Sequence, residues 1–394
     1  ANDNTKRKLN YNVILEPLTV TNALSNNEVK VYLTKIENGV ETEVITPTTI
    51  DKLNNYILKS QEETFSNNKG QVTTSYRIRT WIDYNVNPDK FNNKSYSYKF
   101  RVNVNNEDAP KEMVPLLNIP VGTNGIEKIT HTIDNTLQVD NKFATEYRYR
   151  GGDSVVKNYV TFNNETWRII GIIPTEDTNG NVENRFKIVR DTSIGNMKWN
   201  TNKDTTTNPQ NNWVTGTLNT YLNNAYYNTL STDAKNMIGT TKYYLGGYNK
   251  KLDITSDVMW QYERKNEANR TGYYYGTNPV MQNDANKKIA LLYASDYGYG
   301  ASKECTSILD SYSGFANCNT TNNWLDKSQY TLLLPQNSDV SFYVLGVVST
   351  GRVSNYYSIS ANEFAVRPVL SLSSNVKISG GEGTSGSPYT LSIS

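Results

Sequence analysis

The stretch "SYSYKFRVNV" constrains the fold more than any other part of the chain. Tyr96, Tyr98, Phe100, Val102 and Val104 alternate with Ser95, Ser97, Lys99, Arg101 and Asn103. A period of two sends successive side chains to opposite faces of an extended backbone, so this pattern predicts a half-buried strand. "EVKVYLTKIENGVETEV" repeats it with Val29, Val31 and Leu33, and its Asn38-Gly39 pair suits the positive-φ turn of a tight hairpin. "TSYRIRTWIDY" adds a further strand. One helix is expected in "TTIDKLNNYILKS", where Ile50, Leu53, Ile57 and Leu58 recur at helical spacing.

Short strands separated by turn signals predict an antiparallel β-sandwich over residues 1–108, with an Ig-like arrangement as the default. The whole chain has 394 residues, comfortable for two domains. Apolar residues make up 37% and charged residues 20%, so uncharged polar residues fill the deficit; 29 tyrosines supply much of the area available for burial. The formal net charge is +2 with cations scattered, which gives no footprint for nucleic acid. No apolar run is long enough to span a membrane, so no direct insertion is expected. The opening "ANDNTKRKLN" does not read as a signal peptide; it reads as the start of a processed form with any anchor upstream.

"NNEDAPKEMVPLLNIPVGTNG" reads as a linker, and residues 109–150 as an extended connector packed on a second domain, 151–394. That domain opens with "NYVTFNNETWRIIGII" and "RFKIVRD", three strands in a meander with an Asn163-Asn164 turn. A helix is expected in "NNWVTGTLNTYLNNAYYNTL", with Trp213, Val214, Leu218, Tyr221, Leu222 and Tyr226 on one face and Asn211 or Asn212 as its cap. Ser231 or Thr232 caps a shorter one. About a hundred loop-rich residues follow, before "VSFYVLGVV", "GRVSNYY" and "FAVRPVLSL" return to strand. The order predicts an α+β domain whose closing strands rejoin the opening sheet.

"YVTFNNETWRIIGI", "LNTYLNNAYYNTL", "LLYASDYGYGAS", the Cys305/Cys318 pair, "NNWL" and "VRPVLSLSSNVKISGGEGTSGSPYTL" together resemble exported surface proteins of gut Gram-positive bacteria. The resemblance implies a C-type-lectin-like fold for the second domain, in the branch shared with formylglycine-generating-enzyme-like modules and retroelement-diversified receptors. "YRIRTWIDYNVNPDKFNNKSYSYKFRVNV" is similar to the β-sandwich that precedes it in such proteins. The late strands and the loops before them, "PQNSDVSFYVLGVVSTGRVSNYYSISANEF", would then form the exposed binding surface. About 25 residues follow "FAVRPVL", so the segment is not terminal as in the diversified branch.

The sequence holds a single histidine, His131, and no nucleophile elbow, so the reading is non-catalytic and His131 is expected to be packed or on the surface. No Cys/His cluster suits zinc. Cys305 and Cys318, 13 positions apart, would close a loop worth roughly 3 kcal/mol if paired, with buried free thiols as the alternative; pairing favours an oxidising, exported setting. "EDTNGNVEN" (Glu176–Asn184) fails the EF-hand spacing and reads as a hairpin turn, and the late region offers only Asp339 and Glu363, so no cofactor is expected and calcium is disfavoured.

The strongest chemical signal is tyrosine interleaved with Asn, Ser and Gly, a composition that gives contact area and adaptable hydrogen bonding. Packing of cores poor in leucine explains most single tyrosines equally well. The candidate ligand-binding set is Tyr343, Arg352, Asn355, Tyr356, Tyr357 and Asn362. In "FAVRPVLSL", Phe364, Val366, Val369 and Leu370 are expected in the core, Pro368 at an edge, bulge or strand start, and Arg367 holding loop carbonyls. The expectation is an extracellular adhesin, attached to a cell surface, binding a host or microbial glycan or protein. The alternative is a pilin-like or surface-layer subunit, which an unpaired β edge near "NYNVILEPLTV" would favour.

Overall fold

The structure, a computed structural model, describes residues 6–18, 20–66, 73–90, 92–105, 112–134, 139–201, 210–249, 251–264, 281–357 and 363–394. The protein is mainly β and divides into two compact units, Ala1–Lys111 and Glu112–Ser394.

The first unit holds β1 (Lys6–Leu18), β2 (Val29–Glu37), β3 (Val40–Thr49), β4 (Ile57–Ser66), β5 (Ser75–Ile82) and β6 (Ser97–Asn105). They form two antiparallel three-stranded sheets, β4-β1-β6 and β3-β2-β5, around a core of Val13, Leu15, Val29, Val31, Leu33, Ile50 and Leu58. Asn38 (φ 49°) and Gly39 (φ 82°) make the tight β2–β3 turn.

Three stretches of this unit bear on what the sequence left open. "TTIDKLNNYILKS" is not an α-helix: it ends β3, makes two 3₁₀ turns, Ile50–Lys52 and Asn54–Tyr56, and enters β4. Asn55 and Tyr56 have φ of 51° and 58°, and Ile50 and Leu58 are both needed in the core between the sheets. β1 is no edge: it is the central strand, paired with β4 and β6. The alternating residues of β6 do share the face of Val13 and Leu15, but Tyr98, Phe100 and Val102 stay exposed because β6 lies at the sheet's margin.

The second unit contributes β7 (Ile126–Thr130), β8 (Thr145–Tyr149), β9 (Tyr159–Phe162), β10 (Glu165–Glu176), β11 (Val182–Arg190), β12 (Asn196–Met197), β13 (Tyr243–Tyr244) and β14 (Met281–Gln282). After them come β15 (Thr331–Gln336), β16 (Tyr343–Val347), β17 (Val353–Tyr357), β18 (Phe364–Ala365), β19 (Val369–Ser371), β20 (Val376–Gly380) and β21 (Thr390–Ile393). One sheet runs β19-β11-β10-β8-β7, with β9 on β10; a second runs β12-β18-β15-β16-β17. The closing strand β19 does return to the opening meander, pairing Val369 with Val189. Residues read as a connector instead furnish β7 and β8, two strands of the main sheet.

The helices are short: α1 (Thr217–Tyr221), α2 (Tyr227–Thr229), α3 (Thr232–Met237), α4 (Ser256–Arg264) and α5 (Ala294–Gly300). A π turn, Leu222–Tyr226, links α1 to α2. Leu218, Leu222 and Tyr226 are buried as expected, but Trp213 and Val214 precede the helix, Gly216 is its N-cap and Tyr221 is exposed. Asn212 instead caps a turn through Val214 N–H, and Ser231 caps α3. Helices α4 and α5 lie in the stretch expected to be structureless. Met259 and Trp260 bury the inner face of α4, whereas "ASDYGYG" in α5 carries no aliphatic periodicity to announce it.

Trp167, Trp199, Trp213, Trp260 and Trp324 are all buried in this unit, and Cys305 and Cys318 form a disulfide. Among the described residues no helix is long and apolar enough to cross a membrane.

Candidate functional site

Arg367 organises the surface that best suits a ligand. Fully buried, it donates from Nε to the Arg190 carbonyl (3.0 Å) and from Nη1 to the Leu325 carbonyl (2.8 Å). Burial lowers its pKa to about 10, which leaves it charged at neutral pH. The guanidinium therefore ties the end of β11, from which one loop leaves, to the loop that holds Leu325. Pro368 lies between β18 and β19, and Phe364, Val366, Val369 and Leu370 are buried around it.

Those two loops form the walls of an open groove. Asn196 ends the first and pairs with Ala365 across β12 and β18. Ser193 secures that turn, its hydroxyl accepting from the N–H groups of Gly195 (2.9 Å) and Val366 (3.2 Å). The second loop carries Ser328, Gln329 and Tyr330. Asp326 accepts from Ser328 N–H (2.7 Å), and the Tyr330 carbonyl accepts from Ala365 N–H (2.9 Å). Burial pushes the Asp326 carboxyl upward, against the bonds from Ser328 and Tyr297.

Two adjoining depressions, about 560 and 380 Å³, share Asn196 and Glu363. The first is completed by Ser328, Gln329, Tyr330, Ser349 and Phe364, the second by Met197, Lys198, Thr201, Thr217, Leu218 and Tyr221. Tyr330 is 47% exposed and Tyr221 40%. Among the described residues the lining is thus two accessible phenol rings, several neutral hydrogen-bonding groups, one cation and one carboxylate. It suits an uncharged polar ligand with apolar faces.

The structure divides the sequence-derived set. Tyr343, half-buried, stands opposite Tyr357, and Leu345 opposite Asn355, at the open end of the β16–β17 hairpin. Asn355 accepts a bond from Asn337 Nδ2 (3.0 Å). Arg352 is exposed in the turn, next to the positive-φ Gly351 (φ 91°), and Ser349 of the same turn lines the groove. Tyr356 and Tyr357 lie on β17, and Asn362 lies outside the described residues. Val344, Leu345, Val347 and Val353 are buried, so the hairpin expected to be wholly a display surface is largely framework. Its continuous apolar run, "YVLGVV", is the signature of a strand covered on both faces.

Asn196, Ser328, Gln329, Tyr330 and Tyr221 escaped sequence reasoning. A tyrosine placed just before the buried strand "TLLLPQ" was the available signal for Tyr330. Apolar spacing counted from Trp213 puts Tyr221 on the buried helix face, but the helix begins at Thr217 and leaves Tyr221 exposed.

Elsewhere, titratable groups are consumed by the frame. His131 lies between Glu146 Oε1 (2.8 Å from Nε2) and Asp257 Oδ1 (2.6 Å from Nδ1), stacked 3.7 Å from Trp260. Asp296 pairs with Arg148 (2.7 Å) and Lys187 (2.5 Å), all three buried. In the β10–β11 turn, Asp177 accepts from the N–H groups of Asn179 (2.8 Å) and Asn181 (2.9 Å), while Glu176 engages Tyr244, Lys242 and Lys142. The turn's carboxylates are thereby committed to the turn and its neighbours. Among the described residues no group of three or more His, Cys, Asp or Glu is placed to hold a metal.

Comparison with protein-family models, with curated proteins and with solved structures finds no match to this chain.

Proposed function

We propose that this chain is a non-catalytic binding protein of the cell exterior, whose second unit holds a surface glycan in the groove between Tyr330 and Tyr221. The carrying observation is the lining: exposed phenol rings beside Asn196, Gln329, Ser328, Thr201 and Thr217, with Lys198 and Glu363 as the only charges among the described residues. Sugars offer apolar C–H faces to a ring and hydroxyls to amides and alcohols, and a nearly neutral site does not demand a charged ligand. The disulfide supports an extracellular setting. The sequence resemblance to exported surface proteins with Ig-like and C-type-lectin-like domains points the same way, with attachment through an anchor upstream. Arg352 and Ser349 extend the rim toward the β16–β17 hairpin, where Tyr343, Asn355, Tyr356 and Tyr357 form a second candidate contact.

An array of host and microbial glycans and mucins, probed with the whole chain, tests this reading. The pair Tyr330→Ala and Tyr221→Ala should lower the signal at least tenfold and leave the melting temperature nearly unchanged. Tyr356→Ala with Tyr357→Ala, run beside it, reports on the hairpin. Binding that survives the first pair unaltered removes the groove from the proposal.

A further inference from the structure

The first unit is closed along one side and open along the other. Between β3 and β4 the gap is filled by Ile50 and Leu58, both fully or almost fully buried. Between β5 and β6 the filling among the described residues is only partial: Tyr76 and Ile78 of β5 are half-buried against the core. Each of these two strands is the last of its sheet, and no described strand pairs with the outer edge of either. The Thr80 hydroxyl and the Tyr98 hydroxyl, 3.3 Å apart, bring the two strands together across the opening.

Register shows what the opening exposes. Phe100 stands opposite Leu15 and Val102 opposite Val13. Directly opposed residues of an antiparallel pair project from the same face, so Phe100 and Val102 point to the side on which Leu15 and Val13 are completely buried. Yet Val102 is 52% exposed, Phe100 47% and Tyr98 39%. On the facing strand Ile82, opposite the buried Val29, is likewise exposed. Three core-directed side chains at a spacing of two, beside an unpaired backbone edge without proline or bulge against β1, match the repeat of an added strand.

We propose that this opening accepts an extended peptide strand of another protein, with apolar residues at alternate positions and carboxylates between them. The charges select that chemistry. On the outward face of β6, Lys99 (3.2 Å) and Arg101 (3.5 Å) share the single carboxylate of Glu16. On β5, Arg77 and Arg79 share Glu41. Each edge therefore carries two cations on one anion. A second copy pairing antiparallel through β6 would set Lys99 and Arg101 against their counterparts on one face, and like charges directly opposed destabilise a sheet. An incoming strand with acidic residues on that face meets complementary charge while its apolar residues cover Phe100 and Val102.

The test uses the whole chain and two fluorescein-labelled nine-residue peptides, one alternating glutamate with valine and isoleucine, the other with lysine in place of glutamate. Fluorescence anisotropy should show the acidic peptide binding at least tenfold tighter, with the difference shrinking as salt rises. Val102→Lys, which sets a cation in the opening, should weaken binding at least tenfold. Lys99→Glu with Arg101→Glu should reverse the preference toward the lysine peptide; both substitutions lie on the solvent face, and an unchanged thermal melt verifies folding. Failure of both peptides to bind, or a preference indifferent to the charge reversal, overturns the proposal. Concentration-dependent dimerisation abolished by Val102→Lys also overturns it, because the opening would then belong to a second copy.

Discussion

His131 shows how a single side chain can be read in two opposed ways. Burial among Trp260, Tyr299 and the backbone disfavours an imidazolium, and Arg148 adds repulsion. Hydrogen bonds that the ring donates to Asp257 and Glu146 act the other way and win, so the pKa is raised above its usual 6.5. Glu146, although buried, is held well below the carboxylate range by Arg148 and His131. A neutral ring has one N–H and can satisfy only one of these acids, whereas the cation donates to both. The folded pKa exceeds the unfolded one, so the stabilisation is complete below about pH 6.5 and is lost as pH rises through the folded value. The urea midpoint difference between the native chain and His131→Gln should therefore shrink from pH 6 toward pH 9. Because the sequence holds one histidine, its ring ¹⁵N shifts report the site without assignment, and Asp257→Asn should move the titration to lower pH. A ring already neutral at pH 6.5 would refute the bridging cation.

At the level of elements, asparagine does work that the composition alone conceals. The Asn223 side chain donates to the Ile289 carbonyl (2.9 Å) and accepts from the Ile289 N–H (2.8 Å). One amide thus imitates a ladder rung and docks the π turn onto an irregular segment. Asn219 donates in a simpler way to the Trp213 carbonyl (3.0 Å), and Asn323 to the Tyr297 carbonyl (3.0 Å). Asn223→Leu keeps the volume but strands both backbone groups of Ile289, and should cost about 2–4 kcal/mol in denaturant unfolding. A loss below about 0.5 kcal/mol would mean that water replaces the amide without penalty. The same residues explain what was legible. Strands with strict alternation, such as Val29–Val31–Leu33, and turns with Asn-Gly or Asn-Asn could be read because local chemistry dictates them. Arg367 as a holder of carbonyls was legible too, from its place beside Pro368. The helix limits around Trp213, the short α5 and the groove at Asn196 and Tyr330 were not, because side chains far apart in the chain fix them.

Over the whole molecule, the two units differ in the way they are held. Among the described residues the first has a small core, built on Val13, Leu15, Val29, Val31, Leu33, Ile50 and Leu58, and leaves Phe100 and Val102 in water. The second buries five tryptophans, the Arg148–Asp296–Lys187 network and the disulfide. Burial of apolar area scales the stabilising term, and a small open unit has less of it to set against chain entropy. Calorimetry of the intact chain should accordingly give two transitions, the lower belonging to the first unit. Trp81 is the only tryptophan before Glu112, and it is exposed. The near-ultraviolet circular dichroism of the buried tryptophans should therefore survive the lower transition and vanish in the upper. Reduction of Cys305–Cys318 releases a loop closure of roughly 3 kcal/mol and should lower only the upper transition. An acidic strand bound at the β5–β6 opening should raise only the lower one, since ligand stabilises the unit that binds it. A single transition shifted by both treatments would instead mean that the units unfold as one, and that the open edge draws its stability from outside its own small core.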